Sequence, residues 1–294
     1  MDIIGVGISG GAFYLRAQAA ALHTAFAVYD KNPSYYIGTS AGAIISAVAA
    51  VLGVPGMWRY AAKINPSQAI NGNPFNKNGE LNLVAKMRIL SGRAPVKQSV
   101  IPILNTLISR ADWDKWRVNR LSPLCFVTTC NIETGDRHVW DLKQYDREKG
   151  FLIIEASARM QGLTEPVVID GQLHWDGGQL DHNPAYLLAD MPIYFSEFIG
   201  IWSRPEEWNA EDINMDNSGY LKRLFRMIEL DNIEKSLNDE SKLIDICSDK
   251  GIDLKNIYIP RVLANYYDSS EPGQQKAVNA AIHSTHKAFL KCPI

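Results

Sequence analysis

Nine residues, Tyr35-Tyr36-Ile37-Gly38-Thr39-Ser40-Ala41-Gly42-Ala43, constrain this chain more than any other stretch. Two aromatics and an isoleucine read as a short buried strand, and residues 41 to 52 (AGAIISAVAAVL) read as a helix packed on most of its faces. Between them lies G-x-S-x-G. A strand that passes at once into a helix needs a tight, strained corner, and Gly38 and Gly42 give the backbone around Ser40 room for one. Such a corner lifts the Ser40 hydroxyl clear of the sheet and aims the unpaired N–H groups of the helix N-terminus, Ala41 first, at whatever reacts there. The motif therefore nominates Ser40 as a nucleophile. The plainer reading, a serine that only caps a helix, stands beside it.

A second glycine-rich stretch lies at the N-terminus. Asp2-Ile3-Ile4 opens a strand that runs into Gly5-Val6-Gly7-Ile8-Ser9-Gly10-Gly11, and from Ala12 to about Tyr29 the chain reads as an alanine-rich helix. Gly5, Gly7 and Gly10 match G-x-G-x-x-G, and Asp30 stands 20 residues past Gly10 behind Phe26-Ala27-Val28-Tyr29, as a dinucleotide fingerprint asks. The bulky Tyr14 opposes that reading. The same glycine turn has another physical use, because exposed backbone N–H groups of residues 5 to 10 can hold the oxyanion of a tetrahedral intermediate. On the loop alone both uses stand.

Composition limits what else the chain can be. With 294 residues, 46% hydrophobic and 21% charged, it has enough apolar content for a large core. A formal charge of −2 with no basic run longer than a pair argues against a nucleic-acid partner. The N-terminus enters a strand without an export signal, and residues 41 to 52 fall short of the ~20 apolar residues of a membrane span. Cys125, Cys130, Cys247 and Cys292 fit neither a disulfide framework nor a metal spacing. These readings place the chain in the cytoplasm, with its thiols reduced.

Downstream of the break at Gly53-Val54-Pro55-Gly56, residues 57 to 122 are helical in pattern, interrupted by loops such as Asn71-Gly72-Asn73-Pro74. Val100, Ile101, Ile103, Leu104, Leu107 and Ile108 make a core face, followed by Trp113 and Trp116. Leu124 to Cys130 is a strand, with a turn at 133–136 into His138-Val139-Trp140. After a small-residue helix around 155–160, Val167-Val168-Ile169 turns at Asp170-Gly171 into Gln172-Leu173-His174-Trp175, which delivers Asp176-Gly177-Gly178. Asn183-Pro184 opens the next helix. Expected further on are a strand from Tyr194 to Trp202, an amphipathic helix from Tyr220 to Cys247, a strand from Ile257 to Leu263 and a helix from Lys276 to Lys291.

Taken in order, G-V-G-I-S-G at 5–10, G-T-S-A-G at 38–42 and D-G-G at 176–178 resemble the patatin-like phospholipase family. Ala156-Ser157-Ala158, Pro166 and Asn183-Pro184 are similar to the family's flanking patterns, and the likeness covers about residues 1–200. It implies an α/β fold of three layers, α/β/α, around a mostly parallel central sheet. Residues 1–200 would form the catalytic core, and 201–294 a helical and strand extension packed on the same domain. It also implies a Ser-Asp dyad, with Ser40 as nucleophile and Asp176 as general base. The oxyanion would be held by N–H groups among Gly5, Val6, Gly7, Ile8, Ser9 and Gly10 and at Ala41, with Gly38, Gly42, Gly177 and Gly178 shaping the motifs. No cofactor or metal is implied. The implied substrate is a glycerophospholipid or related acyl lipid, met at a membrane surface without spanning it. Family members commonly carry Lys or Arg where Ser9 stands and glycine where Val6 stands, so here the anion site would rest on backbone donors.

Three alternatives remain at this level. A Ser-His-Asp α/β-hydrolase would need His182, His283 or His286. A nucleotide- or flavin-binding protein would use residues 5 to 30. A scaffold without catalysis would keep the Ser40 corner for packing alone.

Overall fold

The computed structural model describes residues 2–62, 64, 66–69, 82–206, 220–260 and 270–290, except the side chains of residues 13, 66, 67 and 220–229. Among the described residues, eight strands form one sheet: β1 (Ile4–Ile8), β2 (Tyr35–Gly38), β3 (Leu124–Asn131), β4 (Arg137–Asp141), β5 (Val167–Ile169), β6 (Gln172–Asp176), β7 (Glu197–Trp202) and β8 (Asp253–Tyr258). The helices are α1 (Leu15–Tyr29), α2 (Ala41–Ala61), α3 (Leu83–Leu90), α4 (Ile101–Leu107), α5 (Arg110–Val118), α6 (Arg147–Ser157), α7 (Ala185–Ala189), α8 (Tyr220–Lys250) and α9 (Glu271–Leu290).

Strands β3-β2-β1-β7-β8 run parallel, and β4, β5 and β6 join antiparallel at the β3 end. Parallel strands bury both faces, and their alternation sorts the side chains into two cores. Ile4, Val6, Ile8, Tyr36, Cys125, Val127, Ile199 and Ile201 meet α1, α2, α6 and α9 on one face. Ile37, Phe198 and Trp202 meet α7 and α8 on the other. The result is the three-layer α/β fold with a mostly parallel sheet that the family resemblance implies.

The boundary expected at residue 200 falls inside β7. Beyond it, β8 pairs with the whole length of β7 and α9 packs along α1, so later residues widen the same layers. The last strand is Asp253–Tyr258 instead of 257–263, and residues 261–269 lie outside the described set. So do Asn71 to Pro74, Cys292 and the side chains of residues 220–229 in the amphipathic helix expected from Tyr220. Cys125, Cys130 and Cys247 are free and buried.

Helix α2 does not end at Leu52. Gly53 takes φ 73° and ψ 162°, which kinks the helix ahead of Pro55, and it resumes to Ala61. At 21 residues it is long and apolar enough by composition to cross a membrane, yet it is mostly buried between the sheet and its neighbouring helices.

Strand registers build the site. Residues 126–130 of β3 pair with β4 along one edge, which leaves β2 (opposite 124–127) and β6 (opposite 129–131) to share the other edge end to end. Gly38 sits opposite Val127 and Asp176 opposite Thr129. Two strands of opposite direction thus terminate head to head, about 7 Å apart at two residues' spacing on β3.

Candidate active site

Ser40 occupies the corner between β2 and α2 with φ 55° and ψ −126°, a conformation L-residues seldom adopt. Its N–H donates to Ser157 Oγ at 3.0 Å. The flanking glycines answer a steric demand. A Cβ on Gly38 would lie 2.4 Å from the Gly42 carbonyl oxygen, and one on Gly42 would lie 2.2 Å from that of Ile8. The strained serine is held in place by three backbones in close approach.

Asp176 is buried at the end of β6, with its N–H donating to Arg159 O at 3.2 Å. Its Oδ1 accepts from Gly178 N–H at 2.8 Å and from Thr39 Oγ1 at 3.3 Å. Burial pushes the carboxyl up to about 6, against the downward pull of the Gly178 N–H, the Ser40 and Thr39 hydroxyls and the Lys235 charge. A carboxyl so poised changes protonation near neutral pH, within reach of the Ser40 hydroxyl.

The glycine stretch at the N-terminus folds otherwise than its motif suggests. Gly5, Val6, Gly7 and Ile8 lie inside β1, paired on both edges, so their N–H groups belong to the sheet. Ser9 N–H donates to Ile201 O at 3.0 Å and Gly10 N–H to His182 O at 2.7 Å. Residues 5–10 therefore offer no open oxyanion donors, and the turn lies one step later, at Ser9 to Ala12. Among the described residues, the N–H groups of Gly11 and Ala41 have no backbone acceptor. Ser9 Oγ is buried, donating to Gly10 O and accepting from Ser203 N–H, while Gln18 bonds Ser9 O and Ser203 Oγ. These bonds tie the turn to α1 and to the end of β7.

Gly5 and Gly7 are packing positions on the face covered by α7. A Cβ on Gly7 would fall 2.2 Å from Ala185 Cβ, and one on Gly5 would fall 2.4 Å from the Phe198 ring. Phe26 to Tyr29 are the last turn of α1, and Asp30 caps that helix with φ 53°. The dinucleotide fingerprint loses both its loop and its acid.

The chain matches the patatin-like phospholipase family over residues 7–189, more than half its length. The chain belongs to the patatin-like phospholipase family. That family comprises hydrolases of lipid esters. No curated protein matches the chain in sequence. Among solved structures, the crystal structure of VipD from Legionella pneumophila shares the fold at a TM-score of 0.55 and 12% identity. The match covers 98% of this chain and 66% of that one, so the chain spans just under two thirds of VipD's length.

Further residues complete this patatin-like site, and those contributed by α8 carry no signal in the sequence. Thr39 bonds Asp176 and Ser157 bonds the Ser40 N–H. His182 lies against the Ser40 corner, with Nε2 and Ser40 Cβ each 3.5 Å from where a Gly10 Cβ would stand. Burial, with the Arg204 and Lys235 charges, holds the His182 imidazole down at about 4, and among the described residues its Nδ1 has no partner. Helix α8 is tied over this wall by Asp239, which accepts from Asn183 N–H at 3.0 Å, and by Ser236, which accepts from Arg204 Nε at 2.8 Å. One turn before Asp239, Lys235 sits beside Asp231 at 2.5 Å. A helix so remote in sequence can be placed here only by folding.

Proposed function

We propose that the chain is a lipid acyl hydrolase that cleaves carboxylic esters of glycerophospholipids through an acyl-serine intermediate. The head-to-head meeting of β2 and β6 on one edge of β3, which brings Ser40 and Asp176 together, carries this reading. Asp176 takes the hydroxyl proton as Ser40 Oγ attacks the ester carbonyl. The tetrahedral oxyanion is received by the N–H groups of Gly11 and Ala41, at the ends of the two turns that flank Ser40. The alcohol half, a lysolipid, leaves with the proton from Asp176. Water then attacks the acyl-enzyme, with Asp176 again as base, and frees the fatty acid. The enzyme works from the cytoplasm on lipid presented at a membrane surface.

The arrangement disfavours a Ser-His-Asp triad. A triad histidine needs an acid on its second nitrogen, and His182 Nδ1 has none among the described residues. His286 Nδ1 is bonded to Tyr29 OH at 2.8 Å, and His283 lines a cavity of about 580 Å³ between α9 and β8.

A phospholipid panel read out as released fatty acid tests the proposal with wild type, Ser40→Ala, Asp176→Asn and His182→Ala. Loss of release in the first two variants and its retention in the third is expected, together with fluorophosphonate labelling that requires Ser40. Activity lost in His182→Ala and kept in Asp176→Asn would sink the dyad.

A further inference from the structure

We propose that α3 and the basic loop behind it are the face by which this protein docks on an anionic lipid bilayer. In α3, the side chains of Leu83, Val84, Met87, Ile89 and Leu90 are 75%, 69%, 59%, 47% and 82% exposed, and only Ala85 is buried. Leu83, Met87 and Leu90 follow at i, i+4 and i+7, with Val84 beside them, so they form one stripe. The stripe faces away from the protein and the small alanine faces in, the reverse of what water favours for a surface helix.

Polar anchors hold it in that orientation. Asn82 caps the helix by accepting from Ala85 N–H at 2.9 Å. Arg88 Nε donates to Ala94 O at 2.8 Å and its guanidinium approaches Glu165, whose carboxylate also accepts from Ala94 N–H. Monomeric proteins seldom leave so continuous an apolar surface open to solvent.

Charge identifies the occupant. From Leu83 to Gln98 the sequence carries Lys86, Arg88, Arg93 and Lys97 and no acidic residue, within a chain of net charge −2. Lys86 on the helix and Arg93 and Lys97 in the loop behind it are exposed. Large exposed apolar side chains with exposed cations on the same short segment match the acyl boundary and headgroups of an anionic leaflet. A protein partner would more often find aromatic anchors in a polar rim.

Position links the face to the site. The loop behind α3 bonds to the segment 158–165 through Val96 N–H to Leu163 O at 2.9 Å and a Val96–Thr164 bridge. That segment follows Ser157, the partner of Ser40, and contains Arg159, whose carbonyl accepts from Asp176 N–H. Docking through α3 would set the dyad crevice beside the leaflet. The inference takes its lipid ligand from the function proposed above.

The test is flotation of the Ser40→Ala chain with vesicles of phosphatidylcholine, with and without phosphatidylglycerol. Because this chain turns nothing over, partition is read separately from acyl transfer, and failure of one reading leaves the other standing. Binding to the anionic vesicles that falls as salt rises is expected. Leu83→Ser, Met87→Ser and Leu90→Ser together should lower it about tenfold or more, and Lys86→Gln, Arg93→Gln and Lys97→Gln together severalfold. In the otherwise wild-type chain, both sets should leave hydrolysis of a soluble short-chain ester and the melting temperature unchanged. Undiminished partition of the serine triple variant would overturn the proposal. A lipid-free dimer that the same substitutions dissolve would also overturn it, assigning the face to a second copy.

Discussion

Two glycine pairs, each spelled like a functional signature, behave differently in the folded chain. Gly38 and Gly42 flank a serine at positive φ, and the atoms that exclude a side chain there are carbonyls of Gly42 and Ile8. Gly5 and Gly7 lie inside a straight strand, and what excludes a side chain there is the Phe198 ring or Ala185 of α7. The first pair creates a chemical corner, and the second lets a helix approach a sheet. Glycine spacing alone does not separate these uses. What separates them is whether the chain turns between the glycines.

The contrast can be broken most sharply at the acids that accompany each pair. Replacing Ser40 by Ala or Asp176 by Asn should cut lipid hydrolysis by about 10³-fold or more with the fold retained, measured as kcat/KM on a phospholipid substrate. Asp30→Asn should change it less than about twofold, because that acid only caps α1. A large loss at Asp30 would restore a functional role to the first motif.

Next in size is stability. Gly42→Ala drives a methyl into the rigid backbone of β1 and should cost about 3 kcal/mol or more in chemical denaturation. Gly7→Ala presses a methyl against Ala185 of α7, across a side-chain contact between layers, and should cost about 1–2 kcal/mol. Equal costs would remove the distinction between backbone and side-chain neighbours.

The buried acid makes a comparable effect visible through pH. In the proposed mechanism deprotonated Asp176 is the base, so kcat/KM should rise with pH through about 6 and level off above it. The stability effect has the opposite sign. Because burial raises the folded-state carboxyl from 3.8 to about 6, its contribution is fully present below pH 3.8 and is lost as pH rises through 6. Asp176→Asn should therefore be more stable than wild type at pH 8, by up to roughly 3 kcal/mol, with the gap closing towards pH 4. Denaturant midpoints across that range test the sign.

The smallest expected effect concerns the corner itself. Ser40→Gly removes the strain of a non-glycine residue at φ 55° and should stabilise the protein by about 1 kcal/mol while abolishing turnover. No gain in melting temperature would mean that the corner is unstrained.

Much of this arrangement was legible in local chemistry. The strand, corner and small-residue helix around Ser40 follow from the side chains of 35–52, because only glycine tolerates the close approach at 38 and 42. The β5–β6 hairpin that presents Asp176 follows from Asp170-Gly171, both at positive φ. The first glycine stretch misled because apolar alternation continues through it: Ile4, Val6 and Ile8 keep the strand's period of two while the glycines occupy the other face. The turn that the motif predicts at residues 5–10 therefore falls at Ser9 to Ala12.

What no local pattern contains is the sharing of one edge of β3 by β2 and β6, which decides that Ser40 meets Asp176. The same holds for α8, whose Lys235 and Asp239 reach the site wall through contacts with residues more than fifty positions away. Sequence determined the individual turns, since backbone sterics and hydrogen bonding act over a few residues. Only the tertiary structure decided which turns face one another, because strand register and helix docking depend on the burial of whole faces at once.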